Sequence, residues 1–413
     1  MDYGYGEFNG IYEATRGLPA PAAVFSFRPN QFTLGTVDAT LTGKADWFGL
    51  RERVAIGGDF TRVRGRVFEG VYASFGPPVK DVLTFDPEVY PDPRANGAFD
   101  FSGDLRDVSE QYGGFISLQI DLSDRWSLSG AARVASDTFR QDETFSSGGV
   151  SIPVPSFEVG SSRVLQPYGA LMYRIDSHFS WYGSYADIYK SPLVQVQQSP
   201  GTPLGPQHGI TFESGIKGAW RDGALNGSLA VYRTEQLHVP VLVAESTTST
   251  LCCFGSGSGR SRGVDLGVDG ELAPGWLIGS GYTYNLYETV GSVIPAESTP
   301  RHLLKIWTST RLPGRLSHWT LGGDLRAQSA SRGTLVYKCD AQHQNCVPGE
   351  DVVVRPYAVL DLRAGFQLDR NWQVALSVNN VLDKRYYLSE ETPTQNVWFG
   401  DPRNFMLRVD AKY

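Results

Sequence analysis

Six histidines, four cysteines and one Gly-Ser-Gly-Ser-Gly run are the places where this sequence could do chemistry. His178, His208, His238, His302, His318 and His343 are scattered, and no two have the His-x-x-x-His spacing that aims two ring nitrogens at one metal ion. No protein metal site is expected. Gly255-Ser-Gly-Ser-Gly259 is only superficially like a nucleophile elbow, since Gly257 stands where the serine belongs and that turn needs a strand before it and a helix after it. Its composition is that of a flexible loop. No phosphate-cradling or dinucleotide fingerprint occurs, so no catalytic residue is expected. Cys339 and Cys346 flank Asp340-Ala-Gln-His-Gln-Asn345 and are disulfide candidates that would staple a small loop. Cys252 and Cys253 are adjacent, where a vicinal disulfide is strained. Cross-loop pairing fits as well, and the connectivity stays open.

The elements that position these residues are read from composition and period. Aromatic residues make up 12% of the 413 residues and glycines number 46, beside only three methionines, a mix that suits strands, turns and aromatic girdles. No apolar run is long enough for a membrane-spanning helix, and a barrel needs none because its strands alternate faces. A net charge of −7 and a pI near 5.5, without a basic cluster, argue against nucleic acid as a partner. The start, Met1-Asp2-Tyr3-Gly4-Tyr5-Gly6, has neither the basic end nor the apolar core of a secretory signal. Either a signal has been removed or the chain begins inside a longer one.

Alternation with period two is cleanest at the C-terminus, where Phe405, Leu407, Val409, Ala411 and Tyr413 interleave with Met406, Arg408, Asp410 and Lys412. It recurs at Trp372, Val374, Leu376, Val378, at Trp126, Leu128, Gly130, Ala132, Val134, and at Ile116, Leu118, Ile120, Leu122. About fifteen strands follow, of the ten or so residues that a tilted membrane strand needs. They lie near 32–43, 51–64, 109–122, 125–136, 164–174, 178–189, 208–220, 224–236, 260–272, 275–288, 301–312, 316–328, 355–367, 371–387 and 404–413. A soluble sandwich shows the same alternation. The rhythm of connections separates the two, because short turns at Ser123-Asp124, Asp176-Ser177, Arg221-Asp222-Gly223, Ala273-Pro274, Pro313-Gly314-Arg315 and Leu368-Asp369-Arg370 alternate with long loops. The fold class expected is an all-β transmembrane antiparallel barrel, with turns periplasmic and loops outside. Aromatic residues near strand ends, such as Trp181, Tyr185, Trp276, Tyr284 and Tyr387, fit interfacial girdles. Counting back from Tyr413 as periplasmic, one more strand is needed within 5–28, which makes about sixteen, an even number.

Particular residues then carry a family likeness. Leu376-Ser-Val-Asn-Asn-Val-Leu-Asp-Lys-Arg-Tyr-Tyr387 is similar to the penultimate-strand signature of TonB-dependent receptors, and Asp401-Pro-Arg-Asn-Phe405 leading to Tyr413 resembles their closing strand. Thr299-Pro-Arg-His302, Ser261-Arg-Gly-Val-Asp265, Phe212-Glu-Ser-Gly-Ile-Lys217, Gln166-Pro-Tyr-Gly169 and Trp181-Tyr-Gly-Ser-Tyr185 resemble, in matching order, strand motifs of the ferric siderophore receptors. The likeness covers about residues 33–413.

The resemblance implies a 22-stranded barrel filled by an N-terminal plug. By alignment of motifs the chain begins near the seventh or eighth strand, so residues 1–413 are expected to be one barrel domain lacking the plug and first strands. A fragment, a split gene and a truncated product are all open. The function implied is ferric siderophore uptake across the bacterial outer membrane. Partners would be the siderophore, outer-membrane lipid, the barrel assembly machinery and, through the plug region, the TonB complex. Iron would arrive only as the chelate, with no cofactor held by protein ligands. A passive porin-like channel and a nonfunctional remnant are the alternatives. All four cysteines fall in predicted extracellular loops, a compartment that permits disulfides.

Capture of a chelate needs a wide, partly aromatic, hydrogen-bonding mouth. Tyr189, Tyr337, Trp398, Phe399 and Arg403, at or beyond outward strand ends, are the candidate ligand contacts. Girdle or loop packing is the plainer role for each. Arg133, Asp324, Arg326, Asp361 and Arg363 are expected to face inward as a charge network lining the lumen.

Overall fold

The structure, a computed structural model, describes residues 2–12, 22–46, 50–75, 101–147, 149–190, 197–199, 202–242, 254–290, 299–334, 351–390 and 397–412. Strands dominate them. The first seven are β1 (Asp2–Tyr12), β2 (Ala22–Ala45), β3 (Arg51–Phe75), β4 (Phe101–Asp121), β5 (Trp126–Ser147), β6 (Val150–Arg174) and β7 (Phe179–Lys190). After the small pair β8 (Gln197–Ser199) and β9 (Thr202–Pro203) come β10 (Gln207–Trp220), β11 (Leu225–Leu242), β12 (Phe254–Ala273), β13 (Trp276–Val290), β14 (His302–Arg311) and β15 (Trp319–Gln328). β16 (Ser331–Thr334) pairs with β17 (Asp351–Val354), ahead of β18 (Tyr357–Gln367) and β19 (Trp372–Asn379). β20 (Tyr387–Glu390) pairs with β21 (Val397–Phe399), and β22 (Asn404–Ala411) follows.

Sixteen of these strands form one antiparallel sheet in which each neighbours the next in sequence, while the three two-stranded pairs sit in long connections. That is the up-and-down wall expected from the alternation, with β1 as the additional first strand. Among the described residues no helix is long and apolar enough to cross a membrane.

Register gives the wall two chemically distinct faces. On one, Leu118, Ile116 and Tyr112 of β4 stand between Val54, Ile56 and Phe60 of β3 and Gly130, Ala132 and Ser136 of β5. On the other, Arg133 of β5 reaches over β4 to make a bidentate contact with Asp59 of β3, one arm at 2.9 Å. Gly113 lies beneath that bridge, and a Cβ there would stand 2.6 Å from the guanidinium. The last two strands repeat the pattern, with Phe405, Leu407 and Val409 opposite Val378, Leu376 and Val374. The apolar face remains exposed in the isolated chain, Ile116 at 50% and Phe405 at 69%, as lipid-facing side chains must be.

Short turns close one rim through a recurring device. Asp176 Oδ1 accepts the backbone N–H of His178 and Phe179 at 2.7 and 2.8 Å, and Asp369 Oδ1 accepts those of Asn371 and Trp372 at 2.8 and 2.9 Å. Ser123 Oγ does the same for Arg125 and Trp126. Side-chain oxygens thus satisfy donors that the ladder leaves free at each reversal. Several expected boundaries shift. The first strands run well past their expected outer ends, because pairing continues above the lipid, where the outward face turns charged. The strand expected over 371–387 stops at Asn379, since Asn380 takes φ +49° and turns the chain out of the ladder.

An arginine in place of Ile116 should cost about 2–4 kcal/mol, as a charge on the lipid face near mid-membrane does. One in place of the adjacent Ser117 should cost about 0.5 kcal/mol or less. Urea titration of the refolded variants in vesicles measures both, and equal losses would mean that the faces are assigned wrongly.

Candidate functional site

The loop-bearing rim is uneven. β2 to β6 run 24, 25, 21, 22 and 25 residues, whereas β14, β15, β18, β19 and β22 run 10, 10, 11, 8 and 8. At about 3.3 Å per residue, the first group outreaches the second by roughly 40 Å along the strands. One side of the mouth is a tall sheet and the other a low wall capped by a folded loop.

The inner face of the tall sheet mixes apolar and polar side chains. Val63 and Val67 of β3, Leu105 of β4, Phe139 of β5, and Phe157 and Val159 of β6 share it by register, on the same side as Asp59 and Arg133. Asp107 and Gln141 pair across β4 and β5 in its midst. Burial pushes the Asp107 carboxyl above the ordinary carboxylate range, against an opposing hydrogen bond from Gln141. Asp107 Oδ1 has no hydrogen-bond partner among the described residues. Sequence reasoning ended β3 near 64 and missed this surface. The signal was the run Val63, Gly65, Val67 interleaved with Arg62, Arg64, Arg66.

The low wall is organised around Asn380, which is 2% exposed. Its side-chain amide donates to the carbonyls of Lys384 and Asp401 at 2.8 and 3.0 Å, and its Oδ1 accepts the N–H of Lys384 at 2.8 Å. Its own N–H donates to Asp361 Oδ1 at 2.7 Å, and Arg326 binds the other oxygen of that carboxylate at 3.2 Å. One residue therefore ties the loop both to itself and to the lumen wall. Tyr386 stacks on Tyr357 with ring centroids 4.3 Å apart, and burial pushes its phenol up. Gly400 lies flat against that ring, where a Cβ would come within 2.0 Å of it.

Of the expected rim contacts, Phe399 and Arg403 lie on this loop. Phe399 is 69% exposed, with its ring 5.0 Å from that of Tyr387. The Arg403 guanidinium stands 3.8 Å from Asp383, whose carboxylate also accepts the Arg403 N–H at 3.3 Å. Trp398 pairs with Ser389 along the hairpin. Tyr189 lies one residue before the end of β7, where its hydroxyl donates to Asp137 of β5 and its ring stands 6.0 Å from that of His208. Tyr337, Cys339, Cys346, Cys252 and Cys253 lie outside the described residues. The inward charges form local groups. Arg326 sits between Asp324 at 3.4 Å and Asp361 at 3.2 Å, and Arg363 lines a recess of about 550 Å³ together with those two aspartates. Among the described residues no cluster of His, Cys, Asp and Glu could hold a metal ion.

Residues 1–381 match the family described as TonB dependent receptor-like, beta-barrel. The chain belongs to that family. It is therefore a bacterial outer-membrane barrel protein, as the two faces of its wall require. The ferric-pyoverdine M114 receptor PbuA of Pseudomonas sp. is 30% identical over 390 residues, covering 91% of this chain and 45% of that protein. The ferric-pyoverdine BN7/BN8 receptor of Pseudomonas putida is 31% identical over 321 residues, covering 76% of this chain and 35% of that one. The crystal structure of the Pseudomonas aeruginosa ferripyoverdine receptor bound to ferripyoverdine superposes with a TM-score of 0.75 at 23% identity, over 99% of this chain and 52% of that one. The chain thus spans about half the length of its relatives or less. These relatives are receptors, and none of their names denotes an enzyme.

Two outcomes test the site's construction. Asn380→Ala leaves the Lys384 N–H and two carbonyls of a TonB-dependent receptor loop unpaired, and should cost about 1–3 kcal/mol, read as a lower urea midpoint and faster protease cleavage within 380–403. Asp107→Asn should raise the midpoint at neutral pH, because a carboxyl whose folded pKa is raised penalises the folded state once ionised. That advantage should shrink as pH falls through the raised value and vanish below 3.8, where folded and unfolded carboxyls are both protonated. An advantage that grows on acidification would refute the assignment.

Proposed function

We propose that the chain is the barrel portion of a receptor that takes up a ferric pyoverdine-type siderophore, energised through the TonB complex. The observation that carries this reading is the 30% identity to a ferric-pyoverdine receptor across 91% of the chain. The mouth supports it chemically. A chelate must be drawn out of water and held in one orientation, and the tall sheet presents Phe139, Phe157 and Val159 beside Asp107 and Gln141 for that purpose. Phe399 and Arg403 on the low wall, with Tyr189, Tyr337 and Trp398, are the proposed rim contacts. The chelate brings its own iron, so no protein ligand to the metal is required. The chain's own work is capture and passage without bond-making chemistry, in a wall inserted in outer-membrane lipid by the barrel assembly machinery.

Growth of an iron-starved, receptor-deficient Pseudomonas strain on a panel of ferric siderophores, with the complete gene supplied, tests the reading. Growth on at least one pyoverdine, abolished by deleting tonB, is expected. Growth on none, or equal leakage of sugars with tonB absent, would refute it, the latter in favour of a passive pore. Phe399→Ala should weaken binding of the accepted chelate about five- to tenfold, the worth of one aromatic contact, in a fluorescence titration of whole cells. Unchanged affinity would remove Phe399 from the mouth.

A further inference from the structure

We propose that Asp107, on the inner face of the tall sheet, selects chelates that carry a cationic side group, an ammonium or a guanidinium, and holds that group against the ring of Phe32. The inference rests on the siderophore reading and narrows it to one class of chelate.

Register builds the site. Phe32 of β2, Gly65 of β3, Asp107 of β4, Gln141 of β5 and Phe157 of β6 stand side by side in one row across five strands. With neighbouring strands about 4.8 Å apart, the central aspartate has a phenylalanine about 10 Å away on either side. Gly65 brings one of them closer. It has no side chain, so the Phe32 ring leans into its place. A Cβ there would meet that ring at 3.1 Å and the Asp107 Cβ at 3.6 Å, so ring and aspartate border the same small space. Phe32 is otherwise open to the mouth, at 56% exposed. The row below, Leu34, Val63, Ser109, Phe139 and Val159, carries no charge. One row above, Glu143 stands opposite Leu105 and adds a negative charge to the same face.

As a structural group the carboxylate is left unpaired. Its Oδ1 is buried with no hydrogen-bond partner among the described residues. Arg133, lower on the same face, is committed to Asp59. Burial outweighs the bond from Gln141 and raises the carboxyl above its ordinary range, so its charge costs the fold stability. A group that lowers stability at a binding mouth belongs with function rather than with the scaffold. The chemistry of the ligand group follows from what would relieve it. A neutral donor could bond Oδ1 but would leave the charge uncompensated. A metal ion needs several protein ligands, and among the described residues no such cluster exists. A cation supplies N–H donors and countercharge together, in a charge-assisted bond about twice as strong as a neutral one. The face of the Phe32 ring attracts the same cation. Rotation of that exposed ring opens the way to Oδ1, and its return shields the ion pair from water, where the attraction is strongest.

Fluorescence titration of the purified full-length receptor tests this with two probes, the ferric pyoverdine accepted in the growth panel and the same chelate acetylated at its basic groups. Acetylation should weaken binding to the wild type about tenfold, the worth of one hydrogen bond to a charged group. Asp107→Asn, whose stability is expected to rise, should bind both forms equally. Phe32→Leu should narrow the preference about two- to fivefold. Equal wild-type affinity for the two forms, an accepted pyoverdine with no basic group, or an undiminished preference in Asp107→Asn overturns the proposal. n-Butylammonium chloride separates this test from the siderophore reading. At millimolar concentration, against equal sodium chloride, it should raise the urea midpoint of the wild type and not that of Asp107→Asn. A shift shared by both proteins, or absent from both, overturns the cation site. A shift confined to the wild type, in a receptor that takes no pyoverdine, keeps the site and ends the siderophore reading.

Discussion

The structure depends on one constraint, that a peptide group facing hydrocarbon must find its hydrogen-bond partner within the protein. The chain meets it with a ladder running without crossover through all sixteen strands of the main sheet. Strand length, register and the alternation of faces follow from it. Pairing lies in the plane of the sheet and leaves both faces free, and in a membrane wall one of them goes to lipid and the other to the lumen. The few fully buried side chains, such as Ala135, Val359 and Ala375, therefore do not form a core in the usual sense. Cohesion lies in the ladder and in side-chain bridges across it, among them Arg133 to Asp59 and Tyr232 to Asn285 at 2.9 Å.

Above the membrane the constraint relaxes, and the two sides of the rim use that freedom differently. β2–β6 keep pairing as an extended sheet with a mixed apolar and polar inner face and an arginine-bearing outer one. The low wall abandons the ladder at Asn380 and replaces it with side-chain bonds. Asp361 links the two arrangements, accepting from the Asn380 backbone with one oxygen and from Arg326 with the other. A mouth built this way has one long surface and one compact cap, and family relatives that bind pyoverdines share the wall.

Much of the wall was legible in the residues. Period-two alternation located the membrane portions of the strands, and the contrast between short turns and long loops assigned the two rims. The turn residues Ser123, Asp176 and Asp369 were readable because their side chains bond locally. The outer halves of β3–β5 were not legible as wall. There the outward face turns from Phe60 to Arg62, so alternation measured against lipid no longer marks a strand. The rim was legible only in part. Phe399 and Arg403 could be placed on a loop, but the bond that holds Arg403 to Asp383 depends on how that loop folds.

Local chemistry by itself determined that this chain forms a strand wall with lipid on one face, because side-chain direction in a strand follows from sequence parity. It also determined the family, through motifs that recur in order. Only the tertiary structure decided what meets across strands. The bridge from Arg133 over Gly113 to Asp59, the bonds gathered by Asn380, and the grouping of Arg62, Arg64, Arg66, Arg106 and Arg140 on one face join residues distant in sequence. Their meeting is set by register, and register is a property of the paired strands together rather than of any one of them.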